Sequence, residues 1–274
     1  MTDTDSPAAA EAVPEPDVAE PPAPTKPRNL VSGGVILEWH LAPAPVSAAR
    51  DASRSGLVLV HPLPTGTGAA SAAFSTFPEL ADRVARDTGW SVLAYASRGA
   101  GRSPGQFSPA TWLEDIRSAV AFLRHDVESV WVAGFGFGGT LALRAGADDA
   151  SIGGVAVLAA PSQLATWVDD PEALAVATHE AGLTPTATPD DLESWAGELR
   201  AIDPLGAAEE IPPRPLLIVH GSADETVPPV DARAISDAAA GEAELRVIAM
   251  AGHRLRHDPR AIAVLLGWLQ RRAN

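Results

Sequence analysis

The sequence predicts an α/β protein with a doubly wound, mainly parallel sheet. Two observations carry this. Short apolar runs alternate with helical patterns along most of the chain, and the run Val132-Ala133-Gly134-Phe135-Gly136-Phe137-Gly138-Gly139 reads as a strand turning sharply into a helix. In chain order, strands are expected over Val35 to Leu41, Gly56 to His61, Ser91 to Ala96, Ser129 to Gly134, Gly153 to Ala159, Pro215 to His220 and Glu244 to Met250. Gly33-Gly34 marks a hairpin before the first of them. Helices are expected from Ser108-Pro109 through Leu123, and from Gly138 to Ala147, Val230 to Ala240 and Pro259 to Arg272. Between Ser162 and Ile211 no strand is expected. Asp170-Pro171-Glu172 and Thr188-Pro189-Asp190 each start a helical pattern there, so residues 162–211 read as an inserted helical cap carrying Trp167 and Trp195.

At 274 residues, with 46% hydrophobic and 20% charged, the chain can bury one large core, and its apolar runs are too short to span a bilayer. One domain over 28–274 is expected. Residues 1–27 are acidic and rich in proline and alanine, the composition of a disordered tail. The tail shows no basic segment followed by an apolar one, so a cytoplasmic location is expected. The absence of cysteine excludes disulfides and thiolate chemistry, and the seven histidines show no metal-ligand spacing, so neither a metal nor another cofactor is expected. A formal charge of −15 opposes nucleic acid and anionic membranes as partners and favours a neutral or cationic small ligand, while leaving the oligomeric state open.

Four segments fall in an order that resembles the α/β-hydrolase superfamily over roughly residues 57–271. Val58-Leu59-Val60-His61-Pro62-Leu63-Pro64-Thr65-Gly66 resembles the family's oxyanion turn in the subgroup with His-Pro. Ser97-Arg98-Gly99-Ala100-Gly101-Arg102-Ser103 resembles its R-G-x-G-x-S turn. Gly134 to Gly138 resembles the G-F-S-F-G nucleophile elbow, with Gly136 where the serine would stand. Val219-His220-Gly221-Ser222-Ala223-Asp224 and Ala251-Gly252-His253 resemble the acid and histidine segments, in the family's order. The resemblance implies the α/β-hydrolase fold, with Asp224 as the acid, His253 as the general base, and the N–H groups of Leu63 and Phe137 as the oxyanion hole. Phe135 flanks that site, and Trp167 and Trp195 either line its pocket or pack the cap onto the sheet. The Asp224 and His253 pair is either a retained catalytic device or an inherited structural hydrogen bond. His257 and Glu225 miss the motif positions, and His61 and His220 read as turn-stabilising residues.

Two competing patterns occur. Gly101-Arg102-Ser103-Pro104-Gly105 spells G-x-S-x-G, but Pro104 has no N–H to give an oxyanion, which argues against Ser103 as nucleophile. Ser222 would compete with the strand end that carries the acid, and Thr140 should face away from the site. Gly134-x-Gly136-x-x-Gly139 also spells a dinucleotide fingerprint, but the next strand ends in Leu158-Ala159-Ala160-Pro161-Ser162 without the carboxylate that would hold a ribose. Three functions are therefore carried forward. They are a non-catalytic binder of a small carbonyl or carboxylate compound, a hydrolase or lyase using His253 and Asp224 without a serine, and an NAD(P)-binding module.

Overall fold

The computed structural model describes residues 28–46 and 54–272; the tail expected over 1–27 lies outside the described residues. A hairpin, β1 (Val31–Ser32) and β2 (Val35–Ile36), turns at Gly33 and Gly34, whose φ of 53° and 82° suit glycine. The next strand is β3 (Trp39–Ala42). The single strand expected over Val35 to Leu41 is thus two short ones. The chain leaves the hairpin at Leu37, whose N–H donates to the Leu30 carbonyl, and enters the main sheet only at Trp39, paired with Tyr95.

After β4 (Ser55–Val60) comes α1 (Phe77–Thr88), a helix absent from the sequence reading although Pro78 opens it and Gly89, at φ 79°, closes it. The chain continues through β5 (Ser91–Tyr95) and α2 (Pro109–Leu123). Ser108 Oγ accepts from the Thr111 N–H and Thr111 Oγ1 from the Ser108 N–H, a reciprocal cap on α2. Then follow β6 (Ser129–Phe135), α3 (Phe137–Asp148) and β7 (Ile152–Leu158).

Between β7 and β8 lie α4 (Ala165–Asp169), α5 (Pro171–Ala181), α6 (Pro189–Ile202) and α7 (Pro204–Glu209), where two helices were expected. The chain ends with β8 (Leu216–Gly221), α8 (Pro229–Ala238), β9 (Glu244–Ile248) and α9 (Pro259–Gln270). The other expected elements shift by only one or two residues at their ends.

Seven strands form one sheet in the order β3-β5-β4-β6-β7-β8-β9, with every pair parallel except β3 with β5. This is the α/β-hydrolase fold. Central strands buried on both faces need continuous apolar runs, and Leu57 to Leu59 and Val155 to Leu158 are fully buried. Trp131 joins Trp90 and Trp268 by edge-to-face contacts at 5.4 and 5.2 Å, tying β6 to α9 across the core.

Of the four helices between β7 and β8, α5 and α6 reach the chain that follows β4 and β5, while α7 packs on α3 and α8. The Gly68 N–H donates to the Glu180 carbonyl, the Phe107 N–H donates to that of Leu183, and Glu198 accepts from the Ala110 N–H. Ligands bind outside the carboxyl ends of strands in such sheets, and α5 and α6 close that end from above.

Candidate active site

Gly136 stands alone between β6 and α3 with φ 53° and ψ −129°, a conformation costly for any residue with a side chain. Its N–H donates to the Leu158 carbonyl at 2.9 Å, and its own carbonyl accepts from the Gly139 N–H at 2.9 Å. The turn is held at both ends. A Cβ built on Gly136 would lie 3.2 Å from Pro62 Cβ and 3.6 Å from His253 Nε2. A Cβ on Gly138 would collide with the His61 carbonyl oxygen, so glycine there lets the His61-Pro62-Leu63 turn lie against the start of α3.

Asp224 and His253 lie after β8 and β9, 29 residues apart in sequence, and His253 Nδ1 lies 3.0 Å from Asp224 Oδ2. A carboxylate only accepts, so Nδ1–H donates and the lone pair of Nε2 faces the space beside Gly136. Asp224 is fixed from below. Its Oδ1 accepts from the Thr226 and Val227 N–H groups, each at 2.9 Å, and its side chain is buried. His220 Nε2–H donates to the Val227 carbonyl at 2.9 Å and lies 3.4 Å from Asp224 Oδ2. His220 therefore braces the loop that carries the acid.

His61 is built differently. The Ser97 N–H donates to its Nε2 at 3.0 Å, which leaves the proton on Nδ1 to donate to the Pro62 carbonyl at 2.8 Å. Burial among Phe77 and Trp112 lowers its pKa to about 4, so the ring is neutral and both nitrogens are spent on shaping the turn. Leu63 follows in that turn. Neither the Leu63 nor the Phe137 N–H donates a backbone hydrogen bond among the described residues.

Two cavities meet at Pro62, Leu63, Thr65, Thr226 and His253. One, of about 360 Å³, also touches Phe135, Gly136, Arg254 and Arg256. The other, of about 380 Å³, runs under the helical excursion along Phe137, Leu164, Trp167 and Val227, with Trp167 edge-on to Phe137 at 5.3 Å. Phe135, Phe137, Leu63, Trp167, Asp224 and His253 thus gather around Gly136. Trp195 does not. It is buried against Phe107 at 5.4 Å and borders a separate 200 Å³ cavity with Thr184 and Asp191, packing α6 onto the body.

The remaining candidates are accounted for elsewhere. Ser103 Oγ donates to the Ala96 carbonyl at 2.6 Å and accepts from the Glu38 N–H at 2.8 Å, which makes it a turn residue. Ser222 Oγ accepts from the Met250 N–H, and Thr140 Oγ1 donates to the Pro161 carbonyl. His257 Nε2 accepts from Arg256 Nε, and Glu225 is exposed. Arg98 is a buried structural cation. Its Nε and N–H both donate to Asp115, each at 2.8 Å, and burial raises the pKa of that carboxyl. Thr226, Arg254 and Arg256 were missed, although each follows a recognised landmark by one to three positions.

A parallel sheet with an aspartate and histidine converging on a strand-to-helix turn defines a hydrolase-type architecture. The chain belongs to the alpha/beta hydrolase family, whose profile matches residues 57–265. Among solved structures it is similar to Est1E from Butyrivibrio proteoclasticus, described with bound ferulic acid, at 18% identity and TM-score 0.63, covering 89% of this chain and 97% of that one. It is also similar to the monoacylglycerol lipase of Paleococcus ferrophilus (20% identity, TM-score 0.63, 86% and 98% covered). The enol-lactonase of Burkholderia xenovorans LB400 is a further match (18%, 0.57, 85% and 96%). These likenesses show the fold. A comparison with curated proteins returned no match.

Proposed function

We propose that Gly136 occupies the nucleophile position of an α/β-hydrolase site, and that the protein binds a small carbonyl or carboxylate compound there without serine-based turnover. One observation carries this reading. A Cβ built on Gly136 lies 3.6 Å from His253 Nε2, so a serine hydroxyl one bond further out and turned toward the ring would fall within hydrogen-bond reach. Everything around the absent hydroxymethyl is in register: the Asp224 and His253 pair, the free amides of Leu63 and Phe137, and a cavity on either side. Unpartnered N–H groups at the start of a helix favour a carbonyl or carboxylate oxygen. The charge of −15 supports a small ligand over nucleic acid or an anionic lipid surface, and no helix among the described residues is long and apolar enough to cross a membrane.

The same pair supports a second reading. The unshared lone pair of His253 Nε2 faces space that a water molecule or an acidic substrate C–H could enter, which would make His253 a general base without a serine. Wild-type protein assayed on short-chain aryl esters separates the two. Binding without turnover is expected. Turnover that is lost in His253→Ala, yet resists a serine-directed phosphonate, would replace the binder with the second reading.

A further inference from the structure

The cavity beside Gly136 carries charge of the opposite sign to the protein as a whole. Arg254 and Arg256 line it, and no aspartate or glutamate does. Many arginines elsewhere close onto carboxylates, as Arg28 does on Asp126, Arg117 on Asp148, Arg124 on Asp149 and Arg271 on Glu244; Arg214 is spent on backbone carbonyls and Arg272 lies over Trp268, away from this cavity. Arg254 and Arg256 have no carboxylate partner among the described residues. Arg256 donates through Nε to His257 Nε2 at 2.9 Å and lies over the Phe77 ring at 5.3 Å, which leaves its terminal nitrogens uncommitted. Glu225 and Asp258 border a shallower depression on the outer side of Arg254, where Arg260 already holds Asp258 through Nε and Nη2.

Arg254, exposed, and Arg256, half-buried, stand two positions apart and repel each other. Burial and the Arg254 charge together lower the pKa of Arg256. Such an arrangement is unfavourable unless an anion completes it, and guanidinium forks match carboxylate oxygens in pairs. The second cavity is different in kind, with Phe137, Leu164, Trp167 and Val227 offering an apolar wall.

We propose that the ligand is an organic acid with three parts: a carboxylate held by Arg254 and Arg256, a carbonyl beside Gly136, and an apolar arm against Phe137 and Trp167. This rests on reading the space between Gly136 and His253 as a ligand site. The acid specifies which compound enters, and Arg254 and Arg256 are specificity-determining residues outside the Asp224 and His253 pair.

The test is isothermal titration of the wild-type protein with benzoylformate and benzoylpropionate and with their methyl esters, at low and high salt. At least one acid should bind roughly tenfold more tightly than its ester, with the preference shrinking as salt rises. Arg254→Gln combined with Arg256→Gln should remove the preference, weakening the acid far more than the ester. Arg254→Gln alone, on an exposed side chain whose loss does not threaten folding, should reduce it. Acid and ester bound equally, or a preference that survives both Arg254→Gln and the double variant, overturns the inference and leaves the carbonyl site standing. If neither acid nor ester binds, the inference and the ligand-site reading fall together.

Discussion

His61 and His253 follow different strands into the turns around Gly136, His61 buried behind that site and His253 lining its cavities, and they are built to opposite specifications. His61 has a hydrogen bond on each nitrogen, full burial and a pKa lowered to about 4. His253 spends Nδ1 on Asp224 and leaves Nε2 open toward Gly136, with 28% of its side chain exposed. Residue type alone does not separate structural from chemical histidines. The number of committed nitrogens does, and by that measure His253 is equipped to accept a proton and His61 is not.

The largest effect that would break this contrast lies at Asp224. In a Gly136→Ser background, Asp224→Asn should lower any ester hydrolysis by about 10⁴, because an amide fixes the wrong tautomer of its histidine. A loss under tenfold would mean that His253 does not depend on Asp224. The next effect concerns His61. Its folded pKa is depressed from 6.5 to about 4, so the unfolded chain takes up the proton first as pH falls. The stabilisation is whole at pH 7 and is lost between about pH 6.5 and 4. Urea titrations at pH 7 and 4.5 should show the wild type losing about 2 kcal/mol more than His61→Gln over that interval. Equal losses would show that His61 is not held neutral by the fold.

The smallest effect sharpens the contrast between the two serine-like motifs. Ser103→Ala removes two hydrogen bonds inside a turn and should cost about 1–2 kcal/mol in chemical denaturation. In the Gly136→Ser background it should leave ester turnover unchanged.

Much of this site is legible in the sequence because its turns are written in local chemistry. Gly134, Gly136 and Gly138 encode the close approach of β6, α3 and the His61 turn, and Asp224 and His253 fall at strand ends in family order. Pro104 was enough to set Ser103 aside. Other features were illegible for physical reasons. Which face of α6 meets the body depends on tertiary packing, so Trp195, buried against Phe107, could not be told from the lining residue Trp167. The break between β2 and β3 depends on Leu37 returning to Leu30, a contact that strand patterning does not encode. The helix Phe77–Thr88, by contrast, is written in local chemistry, with Pro78 at its start and Gly89 at its end. The cationic side of the cavity needed the fold, which places Arg254 and Arg256 beside Gly136 with no aspartate or glutamate of the described residues lining the same cavity.

The central claim is that one missing hydroxymethyl group separates this site from a working triad. Hydrolysis of a short-chain aryl ester panel by the wild type, Gly136→Ser, and Gly136→Ser with His253→Ala tests it most directly. A serine at φ 53° should cost about 1–3 kcal/mol of stability, so folding is checked by near-UV circular dichroism alongside. The account predicts that Gly136→Ser gains at least roughly a thousand-fold over the wild type and that adding His253→Ala removes the gain. A folded Gly136→Ser protein that hydrolyses no better than the wild type, or one whose activity survives His253→Ala, would contradict it.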